Sequence, residues 1–113
     1  MTADSALATY RPHVRPDGVA GSAGARLEGR LAARLGCLVV DVGGGRVFQP
    51  VFPAGRVRWE ASSERLFIDG AAYRPGDRIA LGGGGVGDRQ GFARASGASI
   101  PQCGGAELFV VSL

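Results

Sequence analysis

The stretch Leu66–Gly85, LFIDGAAYRPGDRIALGGGG, carries the clearest structural pattern in the chain. A short apolar run ends at Gly70, and an alternating run follows the Pro75-Gly76-Asp77 turn and leads into four consecutive glycines. Short apolar or alternating runs that are bounded by Gly and Pro are typical of β-strands joined by turns. The stretch therefore predicts an all-β protein.

Similar runs lie on both sides of this stretch, and we predict further strands there. Their ranges are 37–42, 46–52, 56–60 and 106–113. Pro50 predicts that its strand lies at the edge of a sheet, because proline has no N–H to donate to a neighbouring strand. Residues 26–35 fit either a helix or a strand, and Gly29 in the middle of the segment favours the strand. Five to seven short strands at this spacing predict a small, partly open β-barrel of the oligonucleotide/oligosaccharide-binding (OB) shape.

The length of 113 residues allows one domain. Residues 1–24 show no periodicity and are predicted to be an irregular N-terminal tail, so the barrel domain spans 25–113. The segment Gly82–Gly105 consists mostly of Gly, Ala, Ser and Arg, and it is predicted to be a long loop before the last strand. Loops of this length in a small domain are usually functional or mobile.

Composition restricts the classes of partner. All 13 basic residues are Arg, and the net charge is +3. With 20 Gly, this composition is typical of a GC-rich bacterial genome, so the Arg count alone is weak evidence for a nucleic-acid partner. The apolar runs are far shorter than the ~20 residues of a membrane helix. Residues 1–18 lack the basic start and apolar centre of a signal peptide, which slightly favours a cytoplasmic location.

Two sets of residues are candidates for binding. Arginines on a shared outer face of the barrel would contact phosphates, beside aromatic side chains on which bases stack. These are Arg26, Arg30, Arg34, Arg56 and Arg58. Residues of the glycine-rich loop would contact a partner: Asp88, Arg89, Phe92 and Arg94. Trp59 lies on the apolar side of its alternating strand, and we predict that it belongs to the core.

Metal and cofactor sites are not expected. Cys37 and Cys103 are too few for a zinc site, and the single His is His13, in the predicted tail. The two thiols are either buried and reduced or joined in one bridge, which would stabilise the fold by roughly 4 kcal/mol in the chain-entropy model. Without an ordered His as base, the Ser and Cys residues make poor nucleophiles, so we predict that the protein is not an enzyme.

A glycine motif in the chain has the letters of a nucleotide site. Gly82, Gly84 and Gly87 match G-x-G-x-x-G after a predicted strand. The dinucleotide site also requires a helix whose N-terminus receives the pyrophosphate, and no apolar helical pattern follows Gly87. We therefore interpret these glycines as a turn and predict no nucleotide cofactor.

The order of several motifs resembles that of small, largely uncharacterised bacterial β-barrel domains. These motifs are Gly29-x-Leu31, Gly36-Cys37-Leu38, Pro53-x-Gly55, Gly76-Asp77-x-Ile79 and Leu81-Gly82-Gly83-Gly84. The resemblance covers about residues 26–85, with Cys103 as the second cysteine. It implies a compact barrel, and it suggests no particular activity because none is established for such domains. Such domains are often secreted or carried by lipoproteins, but Phe52-Pro53 stands where they commonly have Trp-Pro, and this chain shows no export signal.

These observations together favour a non-catalytic bacterial binding or interaction module. We predict protein–protein contacts or self-association, through the glycine-rich loop or through an edge strand near Pro50. The alternative is a single-stranded nucleic-acid-binding protein that uses the arginine-bearing face. A small hydrolase is the least favoured alternative.

Overall fold

The computed structural model describes residues 6–11, 19–34, 36–86, 92, 100–101 and 106–113, and for residues 19–24 it describes the backbone alone. Nine strands are present in these ranges. They are β1 (Ala8–Tyr10), β2 (Val19–Arg34), β3 (Cys37–Gly43), β4 (Arg46–Pro53), β5 (Val57–Glu60), β6 (Arg65–Ile68), β7 (Ala71–Tyr73), β8 (Arg78–Val86) and β9 (Glu107–Val111).

Five of the strands form a closed barrel. Their order is β4-β3-β2-β8-β9, and parallel pairing between β4 and β9 closes the ring. The other barrel contacts are antiparallel. This arrangement is consistent with a small OB-like barrel, which confirms the predicted fold class. The ring is closed, whereas we predicted that it would be partly open.

A three-stranded antiparallel sheet of β5, β6 and β7 is inserted between β4 and β8. Its apolar face joins the barrel core, because Trp59, Leu66 and Ile68 belong to the same buried cluster as Leu31, Val40 and other barrel residues. Trp59 is only 5% exposed, so its prediction as a core residue is confirmed. The charged side chains of β5 alternate with the buried ones and point to the opposite face.

Residues 26–34 of the segment 26–35 belong to a strand, so the helical alternative for them is wrong. β2 runs for 16 residues and pairs with both β8 and β3. Gly29 permits the close approach of β2 to β3, because a Cβ at this position would overlap the carbonyl oxygen of Asp41. The hairpin from β3 to β4 turns at Gly43-Gly44-Gly45, where all three residues have positive φ.

The predicted N-terminal tail contains regular structure. β1 lies parallel to the end of β4, and β2 already begins at Val19. Leu7, Ala8 and Tyr10 are buried. Leu7 belongs to the barrel core, and Ala8 and Tyr10 cover part of the barrel exterior, although the short run shows no periodicity in the sequence. The prediction of an irregular segment through residue 24 was therefore wrong at these positions.

The expected edge strand near Pro50 is an interior strand. Pro50 lies in β4 opposite Phe109 of β9 and is fully buried. The pairing of β4 with β3 ends at Phe48, and its pairing with β1 begins at Val51. Pro50 thus stands where β4 changes partner, so its missing N–H is tolerated. This part of β4 offers no free edge to a partner.

The glycines after Leu81 continue β8 to Val86 and do not start a loop. They pair with β2 on one side and β9 on the other. Strand formation here is dictated by the two neighbouring strands, since glycine itself disfavours strands. In the part of the chain that the structure describes, no helix is long and apolar enough to cross a membrane.

Candidate functional site

The predicted arginine face is divided between two sheets. Arg26, Arg30 and Arg34 are exposed on the outer face of β2, where alternate residues point the same way. Arg56 precedes β5 and Arg58 lies within it, so both belong to the three-stranded sheet. The prediction placed all five arginines on one barrel face, and this placement is wrong for the last two.

Arg56 and Arg58 both have carboxylate partners. The Arg56 guanidinium donates two hydrogen bonds to Asp69, of 2.9 and 2.6 Å. Arg58 donates to Glu60 at 3.1 Å, and its guanidinium carbon lies 4.4 Å from the centre of the Phe67 ring. The Ser63 hydroxyl also donates to Glu60, and this bond, followed by Arg58, lowers the pKa of the Glu60 carboxyl. The charges of Arg56 and Arg58 are therefore matched locally.

On β2, the first and last of the three arginines are also matched. Arg26 pairs with Glu28 at 2.8 Å, and Arg34 pairs with Asp41 of β3 at 2.7 Å. The backbone N–H of Gly43 donates to Asp41 as well. These contacts, first the Gly43 N–H and then Arg34, lower the pKa of the Asp41 carboxyl. Asp41 therefore remains ionised at neutral pH.

Arg30 differs from these two arginines. Its guanidinium donates to the backbone carbonyl of Gly76 at 3.0 Å. Asp41 is its register partner on β3, but the Asp41 carboxylate pairs with Arg34. Arg30 also lies directly opposite Arg78 in the β2–β8 register. Directly opposed side chains on antiparallel strands point to the same face, and like charges in that position repel. Among the described residues, no carboxylate forms a salt bridge with either of them.

The two opposed arginines line an open groove of about 600 Å³ on the barrel exterior. Its floor is the outer face of β2 from Glu28 to Arg34. One wall is the end of β3, from Asp41 to Gly43, and the other consists of Pro75, Gly76 and Arg78. The Pro75-Gly76-Asp77 turn is held against β2 by two backbone hydrogen bonds with Leu31. We call this depression the arginine groove; none of the described residues that line it is aromatic.

A second depression, of about 510 Å³, opens at one end of the barrel. We call it the barrel mouth. Its apolar wall comprises Leu27, Val42, Phe48, Gly85 and Phe109, and its charged rim comprises Arg26, Glu28 and Arg46. Arg46 pairs with Glu107 at 2.8 Å and lies 5.0 Å from the centre of the Phe48 ring.

The predicted loop residues do not form an exposed aromatic site. Phe92 is fully buried, in a cluster with Tyr10 and Val51 on the outside of the barrel, so its prediction as a contact residue is wrong. The Tyr10 ring meets the Phe92 ring edge-on with centres 6.3 Å apart, and its hydroxyl donates to the Val111 carbonyl. Burial raises the pKa of Tyr10. Asp88, Arg89 and Arg94 lie outside the described residues.

Cys37 is 1% exposed and packs with Val39 in a small cluster that Ala106 covers. Cys103 lies outside the described residues, and so does His13, which the hydrolase alternative requires. Within the described ranges no group of three His, Cys, Asp or Glu side chains is arranged to hold a metal ion.

Arg78 was not among the candidate residues predicted from the sequence, although it lines the arginine groove. The alternation Arg78-Ile79-Ala80-Leu81 places its side chain outward, but nothing local indicates that Arg30 would stand opposite. Comparison with known proteins gives no further guidance: no family model, no curated protein and no solved structure matches this chain.

Proposed function

We propose that the protein is a non-catalytic binding module that holds an acidic segment of a partner protein in the arginine groove. The observation that carries this proposal is the direct opposition of Arg30 and Arg78, neither of which forms a salt bridge with a described carboxylate. Two exposed like charges at a cross-strand position cost stability. An anionic ligand would relieve that repulsion, and each guanidinium can offer paired N–H donors to a carboxylate.

The surroundings of the two arginines favour carboxylates on a peptide over a phosphate chain. Glu28 and Asp41 also line the groove, and a continuous run of phosphates would meet these negative charges. Single-stranded nucleic acids also gain much of their affinity from bases stacked on aromatic rings. The groove lacks such rings, whereas a peptide can place its acidic residues beside the arginines and neutral residues beside the acids.

Fluorescence anisotropy with a labelled hexaglutamate peptide at low salt tests the proposal. We expect wild-type protein to bind it, and the double variant Arg30→Gln/Arg78→Gln to bind at least about tenfold more weakly, since hydrogen bonds between charged groups are lost. The matched control is Arg58→Gln/Arg65→Gln, which removes the same charge from exposed positions on the three-stranded sheet. It should retain nearly all of the affinity.

The same assay separates the alternatives. Equal losses in the two double variants would mean that binding follows net charge, and the proposal would be wrong. Tighter binding of oligodeoxythymidine than of hexaglutamate, lost in Arg30→Gln/Arg78→Gln, would instead assign the groove to single-stranded nucleic acid. The steep salt dependence of phosphate contacts would accompany that result.

We also propose that Cys37 is bridged to Cys103. Cys37 is buried, and no free cysteine is present among the described residues. Its cluster includes Ala106, which is close to Cys103 in the sequence. Mass spectrometry after alkylation of the unfolded chain without reductant should show no added mass. Two added alkyl groups would contradict the bridge.

A further inference from the structure

The arginine groove and the barrel mouth are neighbours on the surface. Glu28 and Val42 line both of them. A ligand that lies over Arg30 and Arg78 and extends along β2 towards Arg26 therefore passes directly over the mouth. The two depressions differ in chemistry: the groove has unbalanced positive charge, and the mouth is walled by apolar side chains.

The mouth leaves apolar surface uncovered. Val42 is 36% exposed, and Phe48 is only partly buried. Val42 and Leu113 are the large apolar residues that are exposed among the described residues. The charges on the rim already have partners, because Arg26 pairs with Glu28 and Arg46 pairs with Glu107. The mouth thus offers a ligand apolar contact without an additional unbalanced charge.

We infer that the segment recognised by this protein has two parts: acidic residues held by Arg30 and Arg78, and one large apolar side chain that enters the barrel mouth. This inference rests on the proposed function and specifies its ligand. The mouth, at about 510 Å³, is large enough for a single aromatic side chain. The charged part gives orientation, and burial of the apolar side chain gives affinity.

The geometry of β2 sets the spacing between the two parts. Arg30 lies beside the groove, and Arg26 and Leu27 lie beside the mouth. Three to four residues of extended chain span about 10–13 Å. A partner segment that runs along β2 in an extended conformation therefore carries its apolar residue about three to four positions from its acidic residues.

A peptide series tests this spacing. Each labelled peptide carries two glutamates and one tryptophan, separated by glycine-serine spacers of increasing length, and anisotropy gives its affinity. We expect the affinity to be highest at a separation of about three to four residues. At that separation it should exceed the affinity of the same peptide with serine in place of tryptophan by at least about tenfold, because a large apolar surface is buried.

Substitutions in the mouth locate the tryptophan. Val42→Ser and, separately, Phe48→Leu should each reduce the tryptophan-dependent gain about threefold or more, because each removes apolar contact from the mouth. Phe48→Leu should leave hexaglutamate binding intact, because Phe48 lines the mouth and not the arginine groove. Leu113→Ser removes the other exposed apolar side chain, one that does not line the mouth, and should have no effect.

The outcomes distinguish the inference from the proposed function. Hexaglutamate binding that depends on Arg30 and Arg78, together with no gain from tryptophan at any spacing, overturns the inference alone. A tryptophan gain that survives both mouth variants also overturns it. Failure of every acidic peptide to bind overturns the proposed function and the inference with it.

Discussion

The three-stranded sheet and the outer face of β2 and β8 both carry exposed arginines, but they use them differently. On the sheet, Arg56 pairs with Asp69 through two hydrogen bonds, and Arg58 combines an ion pair with a contact to the Phe67 ring. On the barrel, Arg30 and Arg78 stand opposite each other, and within the described ranges neither forms a salt bridge with a carboxylate. The sheet arginines therefore serve the fold, whereas the barrel pair repels.

This difference shows that the role of an arginine can be inferred from its cross-strand partners. The count of arginines and their solvent exposure are uninformative here. All of these arginines are exposed and each lies in or beside a strand, yet only the arrangement across strands separates them. An arginine that is paired with a carboxylate needs no ligand to balance its charge. An unmatched pair beside a groove is a candidate binding site, because a ligand can supply the missing negative charge.

The largest expected effect comes from the contact that holds β2 against β3 beneath the groove. Gly29→Ala should destabilise the protein by about 1–3 kcal/mol or more, because the new Cβ would overlap the Asp41 carbonyl oxygen and force the strands apart. Chemical denaturation monitored by the fluorescence of the buried Trp59 measures the loss. Arg30 and Asp41, which are opposed in the register, should separate in the same variant.

Gly82→Ala in β8 is the matched control for Gly29→Ala. A Cβ at Gly82 meets no atom within 4 Å, and this glycine does not have positive φ. We expect no destabilisation, and a gain of up to about 1 kcal/mol from the reduced freedom of the unfolded chain. Equal losses in the two variants would show that β2 and β3 are not as closely packed as described.

The next largest effect on stability is expected in the three-stranded sheet. Arg58→Gln should destabilise the protein by about 0.5–1 kcal/mol, because it removes the guanidinium from the face of Phe67. Urea denaturation measures the change, and Phe67→Leu in the Arg58→Gln background should add less than Phe67→Leu alone. Full additivity of the two substitutions would contradict an interaction between these side chains.

Substitution of Arg78 on the barrel should change the free energy of unfolding in the opposite direction. Arg78→Gln removes one of two like charges that stand directly opposite each other, so it should stabilise the free protein by about 0.2–1 kcal/mol. The gain should shrink at high salt, which screens exposed charges. A loss of stability comparable to that of Arg58→Gln would mean that Arg78 has a structural partner and would remove the contrast between the two regions.

The smallest effect is the titration of two carboxyl groups, Asp41 beside the groove and Glu60 on the three-stranded sheet. The pKa values of Asp41 and Glu60 are both lowered from ordinary values of 3.8 and 4.5. A carboxyl whose pKa is lowered by folding stabilises the folded protein at pH values above its ordinary pKa. This contribution is lost as the pH falls through the folded-state pKa. Both carboxyls should therefore titrate below their ordinary values when followed by NMR.

Single substitutions should separate the causes of these two pKa values. Arg34→Gln should leave the pKa of Asp41 still below its ordinary value, because the Gly43 N–H bond is the larger cause. Ser63→Ala should raise the pKa of Glu60 more than Arg58→Gln does. A return of Asp41 to its ordinary pKa in Arg34→Gln would show that the ion pair alone is responsible.

The fold could be predicted from local pattern, because alternation in β5 and β6 and the glycine turns indicate strands independently of their partners. The C-terminal part of β8 and the N-terminal part of β2 could not be predicted in this way. Gly82–Gly85 has low strand propensity and becomes a strand because β2 and β9 flank it. Phe92 stands among small and polar residues in the sequence, so its burial against Tyr10 depends on a contact between distant segments.

The candidate site was predicted in part. Strand alternation correctly placed Arg26, Arg30 and Arg34 on one outer face. Their pairing could not be predicted, because the register between strands that are far apart in sequence decides which charges meet. Arg78 becomes a neighbour of Arg30 only through that register. Arg56 and Arg58 were assigned to the wrong sheet because the alternation in β5 does not reveal that β5, β6 and β7 form a sheet of their own.

The central claim is that the opposed barrel arginines bind a ligand and that the paired sheet arginines do not. NMR of the arginine Nε–H groups during titration with hexaglutamate tests it most directly. We predict progressive, saturable shifts for Arg30 and Arg78 and unchanged resonances for Arg56 and Arg58. Shifts that are equal across all four arginines, or larger for the sheet pair, would contradict the claim.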